Sequence, residues 1–332
     1  MATRNEVKTT VEGRVLTLSN LDKVLYPATW FTKGEVIDYY LRIAPVLLPH
    51  LADKVLTRIR FPDGVGHAPA EPGARAAKGR TPQFYEKNTP PGCPSWITTQ
   101  QVIGSDGSTD YLVCDQTATL VYLANLASLE LHVPQWRIAS AGVAPGSPLE
   151  FGREDAEPMA ETVVIDLDPG EGLATPDLVR AAMLVGGQLT VDGLTPLVRS
   201  TGSKGFQVYA AIAPTSPREV VRYAQWVASR LASAEPSLFV STITVAARAG
   251  KVYLDYNQNL MARNTVAPYS LRGRERPSVS TPVTWDELAG FTEPEDFAFS
   301  PEDVLARVED QGDLFAELLD PDGAPTLSKP PQ

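Results

Sequence analysis

The sequence predicts an α+β protein with mixed or antiparallel sheets, and three observations carry that reading. Residues 161–170 read GluThrValValIleAspLeuAspProGly, an apolar run that ends in two aspartates and a Pro-Gly break, as a core strand does. Two S/T-x-x-E signatures, ThrLysGlyGlu at 32–35 and SerProArgGlu at 216–219, each open a stretch of helical periodicity. Between these helices the turn ThrGlySerLysGly, 201–205, joins two further apolar runs of strand length.

Taken in order, residues 8–18 alternate loosely and read as a strand or hairpin, and 18–27 as a loop. Thr32 as N-cap and Glu35 at the third helical position start a helix with Val36, Ile37, Tyr40, Leu41 and Ala44 on one face. Pro45 is expected to end or kink it. Residues 54–62 read as a strand with Arg58 and Arg60 on one face, and 63–82 as a mobile basic loop rich in Gly, Ala and Pro. Asp106-Gly107 marks a hairpin tip. Residues 116–131 have helical periodicity, and 138–160 form a Gly/Pro-rich connection. After the strand at 161–170 come a helix near 176–187, strands at about 196–200 and 206–213, a helix from Pro217 to about 233, and a strand at 251–256. The end reads as a short helix, a partly helical acidic tail and a disordered Pro-rich terminus.

The 332 residues suffice for a large core and for two domains, and no apolar run spans a bilayer. The first residues lack an apolar signal-type segment. Cys93 and Cys114 have neither CxxC spacing nor a nearby histidine, which suits a reducing cytoplasm and argues against zinc. The net charge of −11 belongs to residues 282–332, which hold 13 acids and 2 bases, so the rest of the chain is neutral. A neutral body can still carry a basic groove for phosphates.

The chemistry centres on the aspartates. On a strand, Asp166 and Asp168 share a face with Leu167 turned inward. Adjacent carboxylates repel and are tolerated best around a divalent cation, although Asp-x-Asp before Pro-Gly is also an ordinary solvated strand end. Asp255, between Leu254 and Tyr256, could complete a three-carboxylate site for two-metal phosphoryl transfer, or cap a turn. The glycines around Ser203-Lys204 would expose backbone N–H groups to an anion, with Lys204 as a point charge; a surface turn is the plain alternative. Lys33 at a helix start, with Lys23 upstream, could form a phosphate pocket or be two solvated lysines. Phe84-Tyr85 could stack on bases or pack in the core. His132 reads as a structural histidine closing a helix, and no nucleophilic triad can be assembled.

In this order the pieces resemble the polymerase module of bacterial DNA ligase D and its stand-alone relatives, in the archaeo-eukaryotic primase superfamily. LeuSerAsnLeuAspLysValLeuTyrPro, AspLeuAspPro, SerThrGlySerLysGly and LeuAspTyr carry the resemblance, over about residues 15–290. It implies a primase-polymerase fold: an RRM-like catalytic palm, about 151–290, packed on an N-terminal α/β lobe, about 1–150, followed by an acidic tail, 291–332. It implies that Asp166, Asp168 and Asp255 bind two Mn²⁺ or Mg²⁺ ions. Thr201, Ser203 and Lys204 match the triphosphate turn, and Gln258 and Arg272 match nucleotide contacts. Lys23 and Lys33 match a 5′-phosphate pocket; Phe84, Tyr85 and Arg248 match template contacts. Relatives typically have His at Gln207, and glutamine can donate a hydrogen bond but carries no charge.

The activity so implied is template-dependent synthesis from NTPs or dNTPs, ribonucleotides favoured. It would fill gaps or broken DNA ends bearing a 5′-phosphate, in the cytoplasm at the nucleoid, with a separate DNA ligase sealing the product. The basic loop 63–82 would add a DNA contact. The alternatives are a primase that starts chains de novo, a non-catalytic DNA-end bridging protein, and a sugar transferase using Asp-x-Asp. The last explains neither Lys204 nor Asp255.

Overall fold

The computed structural model describes residues 6–66, 82–105, 107–144, 146–152, 157–241, 248–320 and 323–327. The N-terminal part opens with a hairpin, β1 (Glu6–Val11) and β2 (Arg14–Ser19), then the short pair β3 (Val24–Tyr26) and β4 (Phe31–Thr32). Helix α1 (Lys33–Leu51) starts as expected: Thr32 accepts from the Glu35 N–H and the Glu35 carboxylate accepts from the Thr32 N–H. The helix does not end at Pro45 but runs through Pro45 and Pro49. Its face of Val36, Ile37, Tyr39, Tyr40, Ile43 and Leu47 is buried, and that packing outweighs the roughly 3 kcal/mol a proline costs inside a helix. Leu41, expected on this face, is exposed.

Strands β5 (Thr57–Arg60) and β6 (Phe84–Glu86) flank a segment of which 67–81 lies outside the described residues, so the expected basic loop is largely among those not described. Arg58 and Arg60 share a face and both bind the Glu86 carboxylate. Strands β7 (Thr99–Gly104) and β8 (Gly107–Leu112) form the expected hairpin, closed by the Gly104–Gly107 pair; Asp106 of the expected tip lies outside the described residues. The helix expected over 116–131 is instead helix α2 (Thr117–Asn125) followed by strand β9 (Ser128–Val133). Ala127, at φ +57°, reverses the chain between them. The 138–160 connection carries strand β10 (Leu149–Glu150) beside β7.

The second part is built on β11 (Ala160–Pro169), α3 (Thr175–Val191), β12 (Leu197–Ser200), β13 (Phe206–Thr215), α4 (Pro217–Ala234), β14 (Phe239–Val240) and β15 (Val252–Asp255). Pro217 occupies the start of α4, but Ser216 makes no side-chain cap, so the second capping box does not form. The chain then returns through β16 (Thr265–Val266), β17 (Leu271–Arg272), β18 (Ser278–Val279), β19 (Thr281–Val283) and the helices α5 (Trp285–Gly290) and α6 (Pro301–Gln311).

Two sheets organise these elements. The larger runs β14-β15-β11-β13-β12-β19, antiparallel except for the β14–β15 pair. Val163, Ile165 and Leu167 of β11, with Phe206, Val208 and Ala210 of β13, bury against α3 and α4. The opposite face is left for polar side chains. The smaller sheet, β16-β9-β5-β6, is covered by α1 and α2. Its edge is supplied from late in the chain, because Thr265 pairs with Val133. Ala267, Tyr269, Leu271 and Val279 likewise join the N-terminal core.

Much of the acidic segment from 291 is packed rather than trailing. Phe297, Val304 and Phe315 are buried, and Phe315 and Leu318 cover Val164 and Tyr209 on the polar face of the larger sheet. Asp313 anchors it, accepting from His50 Nε2 (2.9 Å), the Tyr269 hydroxyl (2.6 Å) and the Phe315 N–H (2.9 Å).

Candidate active site

Cross-strand register assembles the site. Asp255 on β15 faces Asp166 on β11, Asp166 faces Gln207 on β13, and Gln207 faces Arg199 on β12. Directly opposed residues share a face, so these four side chains form one row across four strands, with Asp168 two residues along from Asp166. Gly170 does more than end the strand: a Cβ there would lie 1.7 Å from the Arg248 carbonyl oxygen. Only glycine lets the 248–251 segment pass this close, and it brings Arg248 beside the aspartates.

Asp166, Asp168, Lys204 and Gln207 line one cavity of about 570 Å³. Thr201, Ser203, Arg248, Gln258 and Arg272 line the same cavity. Burial, and then the neighbouring Asp168 and Asp255 carboxylates, raise Asp166 well above the usual carboxylate range. Burial and Asp255 also raise Asp168, against the opposing pull of Arg248. The pair therefore fits a hard divalent cation: two oxygen donors side by side, each disfavoured as an anion without a counter-charge.

Asp255 shares the face but does not line the cavity. Its carboxylate accepts from the Asn257 N–H and side-chain amide (2.9 Å each) and from Gln258 Nε2 (3.0 Å). It thus caps the turn at Asn257–Asn259, and among the described residues no three His, Cys, Asp or Glu side chains converge to hold one ion.

The 201–205 turn is tightly held. The Thr201 N–H donates to the Gly205 carbonyl, the Gly205 N–H to the Thr201 hydroxyl, and Arg272 Nη1 to the Thr201 carbonyl. Gly202 sits at φ +64°, with the Val279 carbonyl 2.6 Å from where a Cβ would be. Lys204 projects from this frame, exposed.

Behind the wall that His132 and Arg272 contribute stand Glu130 and Arg199, for which the sequence carries no clear signal. Glu130 accepts from His132 Nε2 (3.0 Å) and the Gly273 N–H (2.8 Å), and lies 3.3 Å from Arg272 Nε. Burial would raise Glu130, but the His132 hydrogen bond and Arg272 prevail and hold it at about 2. Alternation of Glu130 and His132 on a strand was the available signal, and it was lost once 116–131 read as a helix. Arg199 carries no signal in the sequence, because its partners lie on other strands. A second cavity, of about 750 Å³, adjoins the first through His132, Arg272 and Arg274 and reaches Pro27 and Phe61 in the N-terminal part.

The remaining expected residues lie outside the aspartate cavity. Lys23 and Lys33 meet through the β3–β4 pair, where the Lys33 N–H donates to the Lys23 carbonyl. Lys33 Nζ is buried and donates to the Asn125 carbonyl (3.0 Å); burial, with Lys23 nearby, lowers it to about 8. Lys23 pairs with Asp63 at 3.3 Å. Phe84 and Tyr85 stand exposed on the edge strand β6, where packing would have buried them.

A polar row of carboxylates on an RRM-like sheet, facing a Gly-Ser-Lys-Gly turn across a shared cleft, defines a primase-polymerase type of protein. Residues 32–315 match the family model described as LigD, primase-polymerase domain, and the chain belongs to that family. It is 40% identical over 302 residues to the multifunctional non-homologous end joining protein LigD of Mycolicibacterium smegmatis, covering 91% of this chain and 36% of the relative. It is 30% identical to the bifunctional non-homologous end joining protein LigD of Bacillus subtilis, covering 91% of this chain and 44% of that one. The chain thus spans less than half the length of these relatives. Among solved structures it is similar to the polymerase domain of Mycobacterium tuberculosis ligase D in complex with DNA, at 39% identity and TM-score 0.78, covering 92% of this chain and 98% of that one. Among the described residues no helix is long and apolar enough to cross a membrane.

Proposed function

We propose that the chain is a template-dependent nucleotidyltransferase that fills gaps and broken ends in DNA bearing a 5′-phosphate. The observation that carries this reading is that the raised Asp166–Asp168 pair and the Lys204 turn open into one cavity. In the reaction a primer 3′-hydroxyl attacks the α-phosphate of a bound nucleoside triphosphate. The new phosphodiester forms, pyrophosphate leaves, and the hydroxyl proton passes to solvent. A pair of Mn²⁺ or Mg²⁺ ions held by Asp166 and Asp168, with Asp255 once it releases Asn257 and Gln258, would lower the pKa of that hydroxyl and neutralise the triphosphate.

The chain's own groups do the rest. Lys204 and the Ser203 and Lys204 N–H groups grip the triphosphate, and Arg272, fixed between Thr201 and Glu130, adds a guanidinium. Gln258 contacts the nucleotide. Lys23 and Lys33 receive the 5′-phosphate, and Phe84 and Tyr85 stack at the template while Arg248 holds its backbone. Ribonucleotides are the favoured substrate, the cell's nucleoid is the working place, and a DNA ligase, on this or another chain, seals the product. The test is extension on a gapped duplex with and without a downstream 5′-phosphate, using NTPs and dNTPs with Mn²⁺ or Mg²⁺. The reading requires extension that improves with the 5′-phosphate; none with any nucleotide or metal would refute it. A second reading, a non-catalytic end-bridging protein, is favoured by the Asp255 carboxylate being tied to Asn257 and Gln258. It expects DNA-end complexes without incorporation.

A further inference from the structure

Arg199 is fully buried, and among the described residues it makes no ion pair. A guanidinium in such a place is costly unless the surroundings use its charge. Its Nε and Nη2 are spent on neutral oxygens, and Nη1 is buried without a partner among the described residues. Nε donates to Gln207 Oε1 at 3.0 Å, and Nη2 to the same oxygen, to the Tyr209 hydroxyl (2.7 Å) and to the Val266 carbonyl. The guanidinium also stacks over the Tyr209 ring, 4.8 Å from its centre. The Tyr209 hydroxyl lies 3.2 Å from the same Gln207 oxygen.

A side-chain amide has one acceptor end and one donor end, and the two can exchange by a half-turn. Here they cannot. A guanidinium only donates, so the amide oxygen must face Arg199 and the NH₂ must face the other way. That way lies Asp166, directly opposite Gln207 on β11, and the cavity that both residues line. The reversed amide would set NH₂ against guanidinium and oxygen against carboxylate. We infer that Arg199 is a positioning residue that locks Gln207 as a donor-only group, one N–H on Asp166 and the other presented to the triphosphate of the incoming nucleotide.

The inference rests on the polymerase reading of this cavity and adds to it a residue that never touches the ligand. It also supplies an account of glutamine in this place: the buried charge stands one strand behind and polarises the amide that reaches forward. Lysine could not replace it, because one ammonium cannot deliver a fork to Oε1 while also serving Tyr209 and Val266.

The test is a double-mutant cycle read by calorimetric binding of ATP with Mn²⁺ in the absence of DNA, with thermal unfolding as the check on folding. Arg199→Met and Gln207→Leu are each expected to weaken ATP binding about tenfold, the worth of one hydrogen bond to a charged acceptor. The double variant should be no weaker than either single one. Arg199→Lys, which keeps the charge and loses the fork, should behave like Arg199→Met and serves if the latter does not fold. In extension assays the loss should fall on the nucleotide KM more than on kcat. Wild-type ATP affinity in Arg199→Lys, or a further tenfold loss when Arg199→Met is added to Gln207→Leu, would overturn the inference and leave the polymerase reading intact. Failure of the wild-type protein to bind ATP or GTP would overturn both.

Discussion

The aspartate row and the lysine pair are both charged sites, and the fold treats them in opposite ways. Asp166 and Asp168 are set beside each other, and burial and neighbouring carboxylates raise both, outweighing the pull of Arg199 on the first and Arg248 on the second. The lysines are already provided for: Lys33 donates to the Asn125 carbonyl and Lys23 pairs with Asp63. An electrostatically unsatisfied site gains much from a ligand. A satisfied one must first exchange internal partners, so it discriminates modestly. The first is suited to chemistry and the second to recognition.

The contrast predicts effects of different size. Asp166→Ala should abolish primer extension, a loss of at least about a thousandfold, while DNA binding measured by mobility shift is retained. Asp255→Ala is expected to do the same; full extension by it would show that Asp255 only caps its turn. Phe84→Ala with Tyr85→Ala should weaken binding to gapped DNA by about 1–3 kcal/mol per stacked base, with little change in ATP affinity.

Lys33→Met should remove most of the preference for a 5′-phosphate, roughly tenfold at low salt. Because burial lowers Lys33 to about 8, that preference should fade as pH rises through and beyond this value in the wild-type protein and not in the variant. The smallest effect concerns stability. Asp166 has a raised pKa in the fold, so its contribution is fullest at acid pH and is lost as pH climbs above the ordinary carboxylate range. Mn²⁺ should therefore raise the melting temperature more at about pH 8 than at about pH 5. Asp166→Asn should be more stable than wild type by about 1 kcal/mol in EDTA near neutral pH, and insensitive to Mn²⁺.

What the sequence made legible follows from the range of each signal. Alternation within one strand places Asp166 and Asp168 on one face, and the Thr32–Glu35 capping box is a contact over three residues; both are local and both are met. The Arg199–Gln207 contact joins two strands, and Glu130 meets Arg272 over 142 residues, so neither could be read without the fold. Errors came where a local rule was overruled. Pro45 stays inside α1 because tyrosines and leucines bury its inner face, and a short turn at Ala127 divides what periodicity reads as one helix. The partly helical segment expected after 291 forms α6, and Phe315 and Asp313 tie it to the body through contacts that charge counting does not register. Asp255 stands between: its strand and its face follow from the pattern, and its engagement with Asn257 and Gln258 does not.

The most direct test of the metal reading is a crystal of the protein with Mn²⁺ and an unreactive nucleoside triphosphate, with anomalous scattering recorded at the manganese edge. Manganese is expected between Asp166 and Asp168, with Asp255 released from Asn257 to join them and the triphosphate on Lys204. Manganese bound elsewhere, or a triphosphate seated away from the 201–205 turn with the aspartates unengaged, would contradict the metal reading.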